Sequence, residues 1–143
     1  DPKKNMLFNP EESIDLNGNT APFIQYTHAR ICSLLRKATE QQIDLNQEIH
    51  TFTSLTEQEK ELIKTLYDFP QIIDTAAQTY NPALIANYLF DTAKSFNRFY
   101  QEIPIFKEKK SEIRLLRLQI AQFLAIVLKN GMYLLGIDVP EKM

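Results

Sequence analysis

The sequence predicts an all-α helical bundle, and three observations carry that prediction. Apolar residues recur at intervals of three and four along most of the chain, the spacing of a helix with one buried face. No stretch alternates apolar and polar residues as a half-buried strand would. Only three glycines occur in 143 residues, so the many tight turns of an all-β fold have little to build on. A chain of this length fits one domain with an adequate core.

About five helices follow from the punctuation. Thr20 is a good N-cap, Pro22 falls in the first turn, and the first helix runs to about Ala38 with Ile24, His28, Ile31, Leu35 and Ala38 inward. Thr56 and Glu59 form a capping box that opens a second helix carrying Leu62, Ile63 and Leu66. Phe69-Pro70 ends or restarts it, because proline lacks the N–H that continues the ladder. Ile72, Ile73, Ala76 and Ala77 would then lie on a third helix. Asn81-Pro82 starts a fourth that reaches about Tyr100, with Ile85, Leu89, Thr92, Phe96 and Phe99 inward. Pro104 and the run KEKKSE read as a loop. A long last helix turns Leu116, Ile120, Phe123 and Val127 inward and stops at Gly136. Residues 1–19 are polar, hold two of the seven prolines, and read as an irregular connector before the bundle proper at 20–143.

Several chemistries are excluded by composition. Two histidines, His28 and His50, and one cysteine, Cys32, fall short of the close-set ligands that zinc requires. No glycine-rich phosphate loop is present, and no nucleophile stands beside a base, so no residue is assigned a catalytic role. His28, on the apolar stripe, reads as a satisfied core histidine, and Cys32 as a small core residue. A lone cysteine makes no internal disulfide, and no apolar run approaches the ~20 residues that span a bilayer, which together suggest a cytoplasmic setting.

The formal net charge of −2 conceals an asymmetry. Residues 40–69 hold seven acids and two lysines, whereas residues 94–117 hold seven bases against three acids. Residues 21–38 carry Arg30, Arg36 and Lys37 with no acid. An acidic flank beside a basic face suits RNA, although two solvated faces would look the same. On the first helix Tyr26, Arg30, Ser33 and Lys37 follow at helical steps to form a polar stripe, and Asn87, Asp91, Lys94 and Arg98 do so on the helix after Asn81. In SFNRFYQEIP, residues 95–104, Phe99 and Tyr100 are adjacent and so point about 100° apart on a helix. Phe99 completes the core stripe while Tyr100 faces out with Arg98 as a ligand-facing pair, the combination that stacks bases and neutralises phosphate.

Three long stretches, APFIQYTHARICSLLRKA (21–38), YNPALIANYLFDTAKSFNRFYQEIPI (80–105) and LKNGMYLLGIDVPEKM (128–143), together and in this order resemble the C-terminal anticodon-binding domain of arginyl-tRNA synthetases of class I. The resemblance spans nearly the whole chain and is weakest over the acidic residues 40–69. It implies a helical bundle that grips the anticodon stem-loop of tRNA-Arg beside a catalytic domain of the same chain, with no role for DNA or a membrane. It also implies that ATP, with Mg, serves only the catalytic domain, whose HIGH-like and KMSKS-like motifs do not occur here. This stretch alone would then need no cofactor and be inactive as a ligase. Carried over residue by residue, the family's anticodon contacts fall on Phe23, Thr27, Tyr100 and Met143. Phe23 stands where tyrosine is usual, which keeps stacking and loses a hydroxyl. Thr27 replaces the usual alanine, and PEKM replaces the commoner PERM. Candidate phosphate contacts are Arg30, Lys37, Lys94, Arg98, Arg114 and Arg117. The rival reading is a protein-interaction module that docks through the acidic segment 40–69.

Overall fold

A computed structural model describes residues 9–10, 14–15, 18–49 and 55–143. Most of the proposed connector 1–19, together with His50, lies outside the described residues. Among them the chain forms four long helices and no strand: α1 (Ala21–Glu40), α2 (Glu57–Gln78), α3 (Ala83–Glu102) and α4 (Ser111–Leu134). No helix among the described residues is long and apolar enough to cross a membrane.

The starts of the helices follow local chemistry. Thr20 has extended backbone angles, and its Oγ1 accepts from the N–H of Phe23 at 3.3 Å. At α2 the capping box is complete: Thr56 Oγ1 accepts from Glu59 N, and Glu59 Oε2 accepts from Thr56 N at 2.8 Å. Asn81 Oδ1 accepts from Ala83 N at 3.2 Å, satisfying a donor left free at the head of α3. α4 ends where Gly136 takes φ +74°, a left-handed angle suited to glycine, and Ile137 N returns to Met132 O at 3.0 Å.

Four helices replace the expected five because Pro70 lies inside α2. The proline removes the N–H that would bond to the Leu66 carbonyl, but tertiary packing carries the helix through. Phe69 stacks on Tyr88 of α3, 5.6 Å between ring centres, and Tyr88 Oη donates to Thr65 O at 2.6 Å. Leu66 and Ile72 press on the core from either side of the proline.

α4 is central and packs against all three other helices. Part of its expected inward face is not buried. Phe123 is 55% exposed and Leu116 only half-buried, while Leu115, Leu118, Ala121, Leu124, Leu128 and Met132 join Ile120 and Val127 in the core. Its solvent-facing positions also carry apolar residues, Phe123, Ile126, Tyr133 and Leu134, so spacing alone does not choose its register. On α2, Ile63 is likewise turned to solvent. The α3 stripe of Ile85, Leu89, Thr92, Phe96 and Phe99 is buried throughout. On α1, Ile24, His28, Ile31 and Ala38 are buried, Leu35 is half-buried, and Leu34 and Thr27 join them. Gly131 of α4 makes room for α3: a methyl there would lie 2.5 Å from Leu89 Cδ2.

Candidate nucleic-acid interface

The polar stripe of α1 forms one wall of an open groove of about 500 Å³. Tyr26, Arg30, Ser33 and Lys37 all line it, joined by Arg36. Tyr100 of α3, Phe106 of the following loop, and Lys142 and Met143 of the tail supply the other walls. Two aromatic rings flank one guanidinium: Arg30 Cζ lies 4.8 Å from the centre of the Tyr26 ring and 5.7 Å from that of Tyr100. Tyr100 is itself 41% exposed and stacks on buried Phe96, 6.0 Å between centres, so one face of the ring is held from behind. Lys37 Nζ lies 4.8 Å above the Phe106 ring. Four cations and three aromatic rings share this groove, and none of its lining side chains is a carboxylate.

Arg30 is held by a relay. Its Nη1 donates to Asn97 Oδ1 of α3. Asn97 Nδ2 donates to Thr27 Oγ1 at 2.8 Å, and Thr27 Oγ1 donates to the Phe23 carbonyl at 2.9 Å. Thr27 is 0% exposed, which corrects its assignment as a contact residue: it has no surface to offer and acts at the far end of the relay. Phe23 is half-buried, 5.2 Å from the Phe90 ring at 50°, and does not line the groove.

The tail reaches the groove along α1. Gln25 Nε2 donates to Asp138 O at 2.7 Å, His28 Nδ1 to Pro140 O at 2.9 Å, and Arg36 Nη1 to Glu141 O at 3.1 Å. Because a carbonyl can only accept, His28 carries its proton on Nδ1. His28 is buried and satisfied, as its place on the apolar stripe suggests. Cys32 lies one turn on, 3.8 Å from both ring nitrogens, and burial followed by the nearby Glu141 charge pushes its thiol pKa up.

The remaining candidate phosphate contacts lie elsewhere. Arg98 and Tyr100 are not a pair: Arg98 turns toward α2, lining a separate cleft with Lys94, Asp91, Gln58 and Glu61. Two residues along a helix amount to about 200°, which puts the two side chains on opposite sides. Arg98 is bonded to Glu102 at 3.1 Å. Arg114 lines a third depression beside Asp44, Glu48 and Glu112. Arg117 is buried and spent: its Nε donates to Glu59 Oε1 at 2.7 Å, and its Nη1 to Glu108 Oε2 at 3.2 Å. It is a core ion pair and not a surface cation. The same bond removes Glu59 from any acidic docking face, and Glu61 Oε1 accepts from Ser95 Oγ at 3.3 Å.

Of the ten residues expected at an RNA surface, Tyr100, Met143, Arg30 and Lys37 converge. Tyr26, Arg36, Phe106 and Lys142 were missing from that set. Tyr26 was legible as the first member of the polar stripe, and Lys142 as the neighbour of Met143. Phe106 gave no sequence signal, since its role depends on how the loop folds back.

Residues 24–143 match the DALR anticodon-binding domain. The chain belongs to the DALR anticodon-binding domain family. Relatives extend the match over the whole length. The arginine–tRNA ligase of Parabacteroides distasonis is 48% identical over 143 residues, and that of Flavobacterium psychrophilum is 50% identical over the same span. The chain spans about a quarter of each relative, 24% and 23% of their lengths. Among solved structures, Thermus thermophilus arginyl-tRNA synthetase superposes with a TM-score of 0.83 and 33% identity, covering 99% of this chain and 24% of that one. The Plasmodium falciparum arginyl-tRNA synthetase gives 0.81 and 27%, covering 95% of this chain and 23% of that one. The DALR domain therefore has the fold that these synthetases carry within a longer chain.

Proposed function

We propose that this DALR domain binds the anticodon stem-loop of tRNA-Arg, as the RNA-reading part of an enzyme that joins arginine to tRNA at the expense of ATP. The observation that carries the reading is the groove in which Tyr26, Arg30 and Tyr100 stand together, with Arg36, Lys37 and Lys142 on its rim. Anticodon bases unstack from their neighbours and lie against aromatic or guanidinium planes, while cations neutralise the phosphates between them. Alignment of the whole chain to about a quarter of each arginine–tRNA ligase supports arginine as the amino acid. In this reading ATP and Mg serve a catalytic domain, the groove needs no cofactor, and the enzyme works in the cytoplasm.

The genetic code sets what the groove must do. Arginine codons vary at their first and third positions and share a central G, so the reader tolerates varied bases around a central cytosine. Stacking provides the tolerance and hydrogen bonds the selection.

The test is a titration with the tRNA-Arg anticodon stem-loop at two salt concentrations, beside a loop whose central cytosine is changed. Tighter binding of the native loop that weakens with salt is expected. Equal, weak binding of both loops would remove base reading from this domain.

A further inference from the structure

Three side chains of α1 hold the tail, and all three bond to its backbone. Gln25, His28 and Arg36 donate to the carbonyls of Asp138, Pro140 and Glu141. At 100° per residue their three directions fall within about 80° of one another, so they form a single seam on the helix. Ahead of the seam, Gly136 reverses the chain, and Ile137 and Val139 pack on the core. Beyond it, Lys142 and Met143 line the groove. Gln25 and His28 do not line it. His28 is 3% exposed and spends Nδ1 on the tail.

We propose that His28 is a positioning residue for RNA binding: by holding the Pro140 carbonyl it fixes the register of the tail and thereby places Lys142 and Met143 in the groove. The inference rests on the groove being the RNA site. His28 touches no ligand and acts only through the tail. Its backbone-directed bond leaves the tail side chains free to meet RNA. Because Nδ1 donates to a carbonyl, a side chain with a donor at the same point does the same work. The amide nitrogen of asparagine reaches that point, and leucine has nothing to offer there.

The test has two readouts. Only three methionines occur, so a methyl-labelled NMR spectrum is simple, and the Met143 signal is assigned by its loss in Met143→Leu. In the native protein the rings of Tyr26, Tyr100 and Phe106 line the same groove, and their ring currents are expected to displace that signal from its free-peptide position. His28→Leu is expected to move it to the free position, and His28→Asn to keep it. Stem-loop affinity is expected to fall about two- to tenfold in His28→Leu, the range of one hydrogen bond, and to recover in His28→Asn. In a Lys142→Ala/Met143→Ala background, His28→Leu should cost nothing further.

A Met143 methyl unmoved by His28→Leu would overturn the proposal, as would an affinity loss that adds in full to that of the tail variant. Should His28→Leu fail to fold, Gln25→Ala, at an exposed bond on the same seam, must shift the methyl in the same direction; no shift overturns the proposal. If Tyr100→Ala binds RNA as well as the native protein, the groove reading fails, and the methyl signal alone then decides whether His28 sets the tail.

Discussion

Arg117 of α4 and Glu59 of α2 form an ion pair at 2.7 Å with side chains only 8% and 2% exposed, joining the capping box of one helix to the middle of the bundle. Glu59 serves both partners, one oxygen on Thr56 N and the other on Arg117. Arg117→Ala would strand the carboxylate in the interior, so a stability loss of about 3–5 kcal/mol is expected in urea denaturation. Arg117→Met combined with Glu59→Leu should recover most of that loss. Arg98→Ala, which breaks an exposed pair, should cost less than about 1 kcal/mol.

Gly131 faces the fully buried Leu89, whose side chain must shift to admit a methyl. Gly131→Ala gains about 1 kcal/mol of helix propensity but overpacks the α3–α4 contact at a cost of about 1–3 kcal/mol. A net lowering of the urea midpoint is the expected result. Leu89→Ala in the same chain should relieve part of the clash, giving a non-additive pair.

Tyr100 is expected to contribute stacking and no hydroxyl chemistry. Tyr100→Ala should weaken stem-loop binding by about 1–3 kcal/mol, while Tyr100→Phe should bind nearly as the native protein does, measured by fluorescence anisotropy. Asn97→Ala releases Arg30 from its relay and should weaken binding as well, without touching any aromatic surface.

Acid should destabilise the loop that carries Phe106. Glu108 is held below its ordinary value of 4.5 first by the Lys110 N–H and then by the Arg117 charge. Glu102 is lowered by hydrogen bonds from Arg98 and Gln58. A carboxyl whose folded pKa is depressed stabilises the protein fully above its unfolded value and loses that contribution as pH falls through the folded one. Urea midpoints should therefore drop between neutral pH and about pH 3, and less steeply in Glu108→Gln.

At the alkaline end, burial pushes the Tyr88 hydroxyl up to about 12. Its folded value exceeds its unfolded one, so the protonated phenol is favoured by folding, and stability is lost as pH rises from about 10 toward 12. Ultraviolet titration should show a late tyrosine ionisation that is missing in Tyr88→Phe. The hydroxyl's bond to Thr65 O also supports the helix beside Pro70, so Tyr88→Phe should be less stable.

Legibility in the sequence tracked how local the cause was. Thr56 with Glu59, Asn81 with Pro82, and Gly136 act within a few residues, and each marked its helix end. The stripe of α3 was readable because the exposed positions Asn87, Asp91, Lys94 and Arg98 are all polar. Pro70 misled because the contacts that carry α2 past it come from Tyr88, which no local rule sees. The α4 register was hidden because its solvent face carries Phe123, Ile126, Tyr133 and Leu134, which read as core by spacing. At the groove, the α1 stripe was legible from spacing alone. Arg117 was misassigned because charge on a helix says nothing about burial, and Glu59 lies far away in sequence. Asn97, inside SFNRFY, offered no sign that it holds Arg30.

The groove walls come from α1, the end of α3, the loop around Phe106 and the tail, so no fragment of the chain holds them together. A ligand that needs all four walls binds the folded state alone. Its binding free energy then becomes folding free energy, about 2.7 kcal/mol at a hundredfold excess over Kd. A heat-melting curve thus doubles as a binding assay for this domain, and a variant that stays folded but has lost one wall would betray itself by a melting point that RNA no longer raises.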